Sequence, residues 1–115
     1  MILTGHIILA VTYLGIALIF WVKQPHHINY LYGYRTSFSM KNAETWREAN
    51  IYSSNLMFKS AIVFIIFEIF SYFLIGGKDS ITASAICLTI LSVAVIPFTE
   101  IHLRKKFDKN GQAKN

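Results

Sequence analysis

The sequence predicts an all-α integral membrane protein: three transmembrane helices, with a cytoplasmic-side interfacial loop and helix between the first and second. Three observations predict it. Three apolar runs are each long enough to cross a bilayer, which takes about 20 residues. The chain is 54% hydrophobic and only 15% charged, against about 25% charged in an ordinary globular chain. Its 115 residues make a single domain, too small to hide that much apolar surface from water. The formal charge of +5 is also distributed unevenly. Most basic residues lie between Lys23 and Lys59 or after Leu103, a pattern of membrane topology rather than of nucleic-acid binding.

The first span runs from about Ile2 to Val22 and stops before Pro25. It lacks a basic leading region, and bulky Phe20-Trp21-Val22-Lys23 offers no small-residue cleavage site. It is therefore expected to be an uncleaved anchor with its N-terminus outside. The connection from Lys23 to Ser54 is long and polar. His26 to Met40 reads as irregular or partly extended. Asn42 then caps a helix that carries Glu44 in its first turn, where an anion is favoured. From Ala43 to Ile75 there is no Gly or Pro. At about 1.5 Å per residue that helix is about 50 Å long, more than a hydrocarbon core of about 30 Å. Its first turns should protrude into the inner interface, or bend at Ser53-Ser54. The second span is Asn55 to Ile75, and Gly76-Gly77-Lys78-Asp79-Ser80 is a tight turn. The third span, Ile81 to Leu103, contains Pro97, a kink position that membrane helices tolerate. A basic tail, 104–115, follows.

Orientation follows from the basic residues. Lys23, Arg35, Lys41 and Arg47 lie in the first connection; Arg104, Lys105, Lys106, Lys109 and Lys114 lie in the tail. The Gly-Gly turn has only Lys78, offset by Asp79. The positive-inside rule places the long connection and the C-terminus in the cytoplasm and the N-terminus outside. Trp21, Tyr30, Tyr32 and Tyr34 fall near the inner interface, where amphipathic rings prefer to sit.

Ionisable residues inside a span are costly and point to function. Lys59 and Glu100 each lie about one turn from the inner end of their helices, so they should pair or both snorkel to the interface. Glu68 lies deeper, two and a half turns from Lys59 and on the other side of the helix. His6 is at a suitable depth to be its partner. Otherwise Glu68 would be protonated or would face an oligomer interface. The lone Cys87 reads as a small hydrophobe. His26-His27 are adjacent and point different ways, so no metal site is expected. No nucleophile–base pattern, phosphate cradle or other cofactor motif appears, and no enzyme is expected.

The most informative stretch runs from Asn29 to Asn50. Asn42, Trp46 and Asn50 are spaced by four and line one helical face, with Ser53 and Ser54 just beyond. Trp46 can anchor that face on the membrane interface or on the tyrosine-rich segment, with Asn50 as hydrogen-bond partner. Arg35 suits a lipid headgroup or a carboxylate. The stretch has an Asn ahead of Gly-x-Arg-Thr, then Ser-type residues, then a Trp that opens a helix. In Asn29, Gly33, Arg35, Thr36, Asn42 and Trp46 it resembles the signature of the SdpI family, with Ser37 where the family often has Pro. The resemblance implies a small bacterial cytoplasmic-membrane protein, built as the family's minimal three-helix unit. It also implies immunity to a membrane-active peptide toxin, through binding the toxin or its target. The expected partners are the lipid bilayer, a peptide toxin or membrane protein, and further copies of the chain in a homo-oligomer. An accessory subunit of a larger membrane complex and a proton-coupled small transporter are the alternative readings.

Overall fold

The computed structural model describes residues 1–114. Helix α1 spans Ile2–Val22 and α2 spans Ala43–Phe70. A π-helical turn, Ser71–Ile75, extends α2, and α3 spans Gly77–Lys106. All three helices are long and apolar enough to cross a membrane. Among the described residues there is no β-strand, only an isolated bridge between Phe107 and Ala113. The long dimension of the molecule, 51 Å, matches the length of α2 with its extension.

α2 is the spine, with α1 and α3 both packed along it. The burial pattern inverts that of a water-soluble domain. Among the described residues twelve buried polar ones stand against ten buried apolar ones, while Ile7, Val11, Ile19, Ile66, Ile90 and Val93 point outward. Lipid, as apolar as these side chains, gives them no reason to hide, so small residues and polar contacts hold the helices together. Ala17 and Ala61 are fully buried where α1 meets α2. Beside them the Tyr13 ring meets Phe64 edge-on at 5.6 Å, and its hydroxyl lies 2.6 Å from Ser60 Oγ. At the basic end a second core joins Tyr34, Ala49, Leu103 and Phe107.

Local chemistry sets the ends of the elements. Asn42 Oδ1 accepts from Thr45 N (2.9 Å), and Thr45 Oγ1 accepts from Asn42 N (3.1 Å). This reciprocal cap starts α2 at Ala43. The helix runs unbroken through Ser53-Ser54. Ser54 Oγ donates to Ile51 O of its own turn (3.0 Å) rather than opening the ladder, so the bend considered at that pair is not formed.

The turn between α2 and α3 is shorter than Gly76 to Ser80. Gly76 N donates to Ser71 O (3.0 Å), and Ser80 N already donates to Gly76 O (3.1 Å). Gly76 and Gly77 have φ of 72° and 59°, the left-handed region that glycine enters without strain. They reverse the chain in so little space that α3 starts four residues before Ile81. α3 also continues through Pro97 and past Leu103 to Lys106. The tail beyond it folds back. Asp108 Oδ1 accepts from Asn110 N and Gln112 N, Lys114 N donates to Lys106 O, and Asn42 Nδ2 donates to Gly111 O (2.8 Å). The end of the chain is thereby tied to the start of α2.

Candidate functional site

The polar residues gather in two centres, one at each end of the bundle. At the basic end, the loop between α1 and α2 folds over the α2 face made by Trp46 and Asn50. Trp46 is fully buried, and its Nε1 donates to Pro25 O (3.0 Å). Asn50 Nδ2 donates to Trp46 O (2.9 Å), and Asn50 Oδ1 accepts from Tyr34 N (2.7 Å). Gly33 makes this crossing feasible. Its φ is 115°, and a Cβ there would lie 2.6 Å from Pro25 Cγ and 2.8 Å from Asn50 Oδ1. Asn29 shapes the loop tip: its Oδ1 accepts from Leu31 N and Tyr32 N, and its Nδ2 donates to His27 O. Of the two settings open to Trp46, the structure forms the one against the loop.

Below Gly33 the loop is bolted to α3. Tyr34 OH donates to Glu100 Oε2 (2.7 Å) and Thr36 Oγ1 donates to the same oxygen (3.0 Å). Ser39 Oγ donates to Tyr34 O (3.0 Å) and accepts from Thr36 N (2.8 Å). Glu100 is thus spent on the loop, and of the two outcomes expected for Lys59 and Glu100, pairing or snorkelling, the pair does not form. Lys59 is exposed and stands in none of the ion pairs among the described residues. Matching depth did not bring the two together, because the hydroxyls of Tyr34 and Thr36 reach the carboxylate from the loop. Arg35 stands between those two fastened residues, exposed and in no ion pair among the described residues. Nearby, His102 Nε2 meets Glu48 Oε2 at 2.9 Å, and its ring stacks on Tyr52 at 3.9 Å. It is turned to α2.

The second centre lies at the opposite end, inside the bundle. His6 Nδ1 is 2.8 Å from Glu68 Oε2, and His6 Nε2 is 2.9 Å from Ser80 Oγ. His6, Glu68, Ser71, Ser80 and Ser84 are all buried. Ser80 Oγ donates its proton to Gly77 O (2.6 Å), so it accepts at His6 Nε2, which carries a proton. One further proton is shared between Nδ1 and the carboxyl, and the pair is net neutral wherever that proton sits. Neutrality is what a pair in a dry bundle requires. Ser71 Oγ donates to Ser80 O (2.9 Å), tying the π-helical turn to α3. The order Glu68–His6–Ser80 has the connectivity of an acid–base–nucleophile series. The Ser80 hydroxyl is committed to Gly77 and fully buried, however, so it faces no substrate. Reading the sequence missed Ser71, Ser80, Ser84 and Tyr34 as members of these centres. The spacing by four of Ser80 and Ser84 was the one available signal.

Fold and site together define a multi-pass membrane protein whose first loop is fastened over one end of a three-helix bundle. The chain belongs to the SdpI/YfhL protein family, whose profile matches residues 26–99. That range takes in most of the loop, all of α2 and most of α3. The chain is similar to the uncharacterized protein YfhL of Bacillus subtilis (strain 168), with 51% identity over 39 residues. That match covers 34% of this chain and 36% of the relative, so about a third of the relative's length is spanned. No solved structure matches the chain.

Two measurements check these centres. Burial first, then the hydrogen bond to Glu100 and its charge, push the Tyr34 phenol above its ordinary value of 10. The neutral phenol is favoured in the folded state. Its contribution is therefore whole below pH 10 and is lost as pH rises toward the raised value. Tyr34→Phe should cost about 1.5–3 kcal/mol at neutral pH, the worth of a hydrogen bond to a charged group, and should show a shallower loss of stability at alkaline pH than the parent. An equally steep alkaline loss in the variant would contradict the assignment. In the second centre, His6→Ala strands a buried carboxyl and should cost about 3–5 kcal/mol in detergent unfolding. Adding Glu68→Leu should recover most of it, and costs that simply add would show that the two residues do not act as a pair.

Proposed function

We propose that the protein sits in a bacterial cytoplasmic membrane, N-terminus outside and C-terminus inside, and protects the cell against a membrane-active peptide toxin. The basic residues support the orientation: the loop and the tail share one end of the bundle, tied by Asn42 and Gly111. Both segments are lysine- and arginine-rich, so the positive-inside rule assigns them the same side. A C-terminal fluorescent fusion should be bright and a C-terminal alkaline phosphatase fusion inactive. The reverse result would invert the topology.

Family membership supports the immunity reading, and Arg35 is the observation that carries it. Asn29, Thr36, Asn42, Trp46 and Asn50 all spend their side chains holding the loop in shape. The scaffold leaves a guanidinium displayed at the membrane boundary, where a rigid fork of donors suits a carboxylate or a phosphate. On this reading Arg35 meets the toxin or its target, and the buried Glu68 centre keeps the bundle closed around the polar contact within the bilayer. Expression in a toxin-sensitive bacterium should raise survival over an empty vector. Arg35→Ala should abolish the gain at equal abundance in the membrane, while Lys105→Ala should keep it. Unchanged survival with the protein present in the membrane would end the immunity reading.

A further inference from the structure

α3 places Ser92, Ile96, Glu100 and Arg104 at steps of four, along one stripe of the helix. Beside Ser92 and Ile96 opens an apolar groove of about 390 Å³, floored by Ile16, Phe20, Met57 and Val95. Beside Glu100 and Arg104 opens a second cleft, of about 590 Å³, which Lys41, Lys109 and Lys114 also line. Tyr34 stands between them: it lines the groove, and its hydroxyl bonds Glu100 of the cleft. Ile96 and Arg104 are eight residues apart, about 12 Å along the axis. The apolar groove and the cationic cleft therefore lie end to end along α3, with Tyr34 at their junction. The cleft's four cations, Lys41, Arg104, Lys109 and Lys114, outnumber its two carboxylates, Glu100 and Asp108, and leave it net positive.

Ser53 adds an independent mark. Its Oγ is buried without a hydrogen-bond partner, and it lines the groove. Ser54, Ser60, Thr89 and Ser92 all return their hydroxyls to a carbonyl of their own helix; Ser53 does not. Its neighbours fix its depth. Ser54 bonds Gln24, and Asn55 bonds Trp21, so Ser53 is level with the end of α1, at the polar end of the groove. A buried donor without an acceptor costs about 1–3 kcal/mol, and a bound carbonyl would satisfy it.

We propose that groove and cleft together bind one anionic phospholipid. An acyl chain fills the groove, a glycerol ester carbonyl accepts from Ser53, and the phosphate enters the cleft against Arg104 and Lys41. Charge complementarity selects the anionic lipid: a zwitterionic headgroup would bring its own cation against the cleft's surplus of cations. The site stands apart from the immunity reading, since Arg35 lines neither cavity.

The test titrates the full chain, purified in mild detergent, with phosphatidylglycerol and with phosphatidylcholine of identical chains, and reads binding by native mass spectrometry. Phosphatidylglycerol should bind about tenfold tighter, a modest electrostatic preference. Lys41→Gln with Arg104→Gln should erase that preference, and Lys41→Gln with Lys109→Gln, a second pair in the same cleft, should reduce it too. Lys105→Gln, a cation lining neither cavity, should leave it intact. Ser92→Trp, at an exposed position beside the groove, should weaken both lipids alike. All these positions are exposed, so helical content by circular dichroism should not change. Equal binding of the two lipids by the parent chain would overturn the proposal. So would a loss in Lys105→Gln as large as in the cleft variants, or competition by chain-free glycerol phosphate as strong as by the lipid itself.

Discussion

Hydrocarbon offers no hydrogen bonds, and that constraint organises the whole molecule. A polar group carried into the bilayer is costly unless it finds a partner inside the bundle or in a bound lipid. Glu68, too deep to reach water, is met by His6 from α1, and His6 is met by Ser80 from α3. One polar cluster thereby joins all three helices at the end where no long loop is present to tie them. The same logic puts Ser60 against Tyr13 and Ser71 against the first turn of α3. The apolar side chains left facing outward are the complement of this arrangement, since lipid accepts them at no cost.

The other end solves a different problem. There the chain leaves the hydrocarbon and must return, and an open loop would leave α2's first turns without packing. The loop instead buries Trp46 and takes its backbone partner from Asn50, then uses Tyr34 and Thr36 to hold α3 through Glu100. The tail closes the remaining side through Phe107 and the Asn42–Gly111 bond. The result is a rigid rim on which the exposed charges are set by the fold. Arg35 is presented from it, and the cleft around Arg104 and Lys41 is walled by it.

Much of this was legible from residues alone. The Ile2–Val22 span, the cap at Asn42, the Gly- and Pro-free run that becomes α2 and the shared face of Trp46 and Asn50 follow from apolar length, capping chemistry and spacing by four. These are local properties, and a short stretch of chain contains all the information needed. The signature residues were also legible as a group. What they would touch was not: the Trp46 face could have met lipid as readily as the loop, and only the chain crossing at Gly33 decides between them.

The ion pairs show the limit most clearly. Depth along each helix can be counted from the sequence, and it correctly set His6 beside Glu68 as a candidate. Counting gave Lys59 and Glu100 the same standing, yet Glu100 belongs to Tyr34 and Thr36. Depth is one coordinate, while pairing also needs the rotation of each helix and the path of the loop. The sequence by itself determined that this chain spans a membrane three times, where its helices lie and which of its residues are chemically costly. The tertiary structure alone decided which of those residues meet, because hydrogen bonds are made across helices whose relative rotation no local pattern encodes.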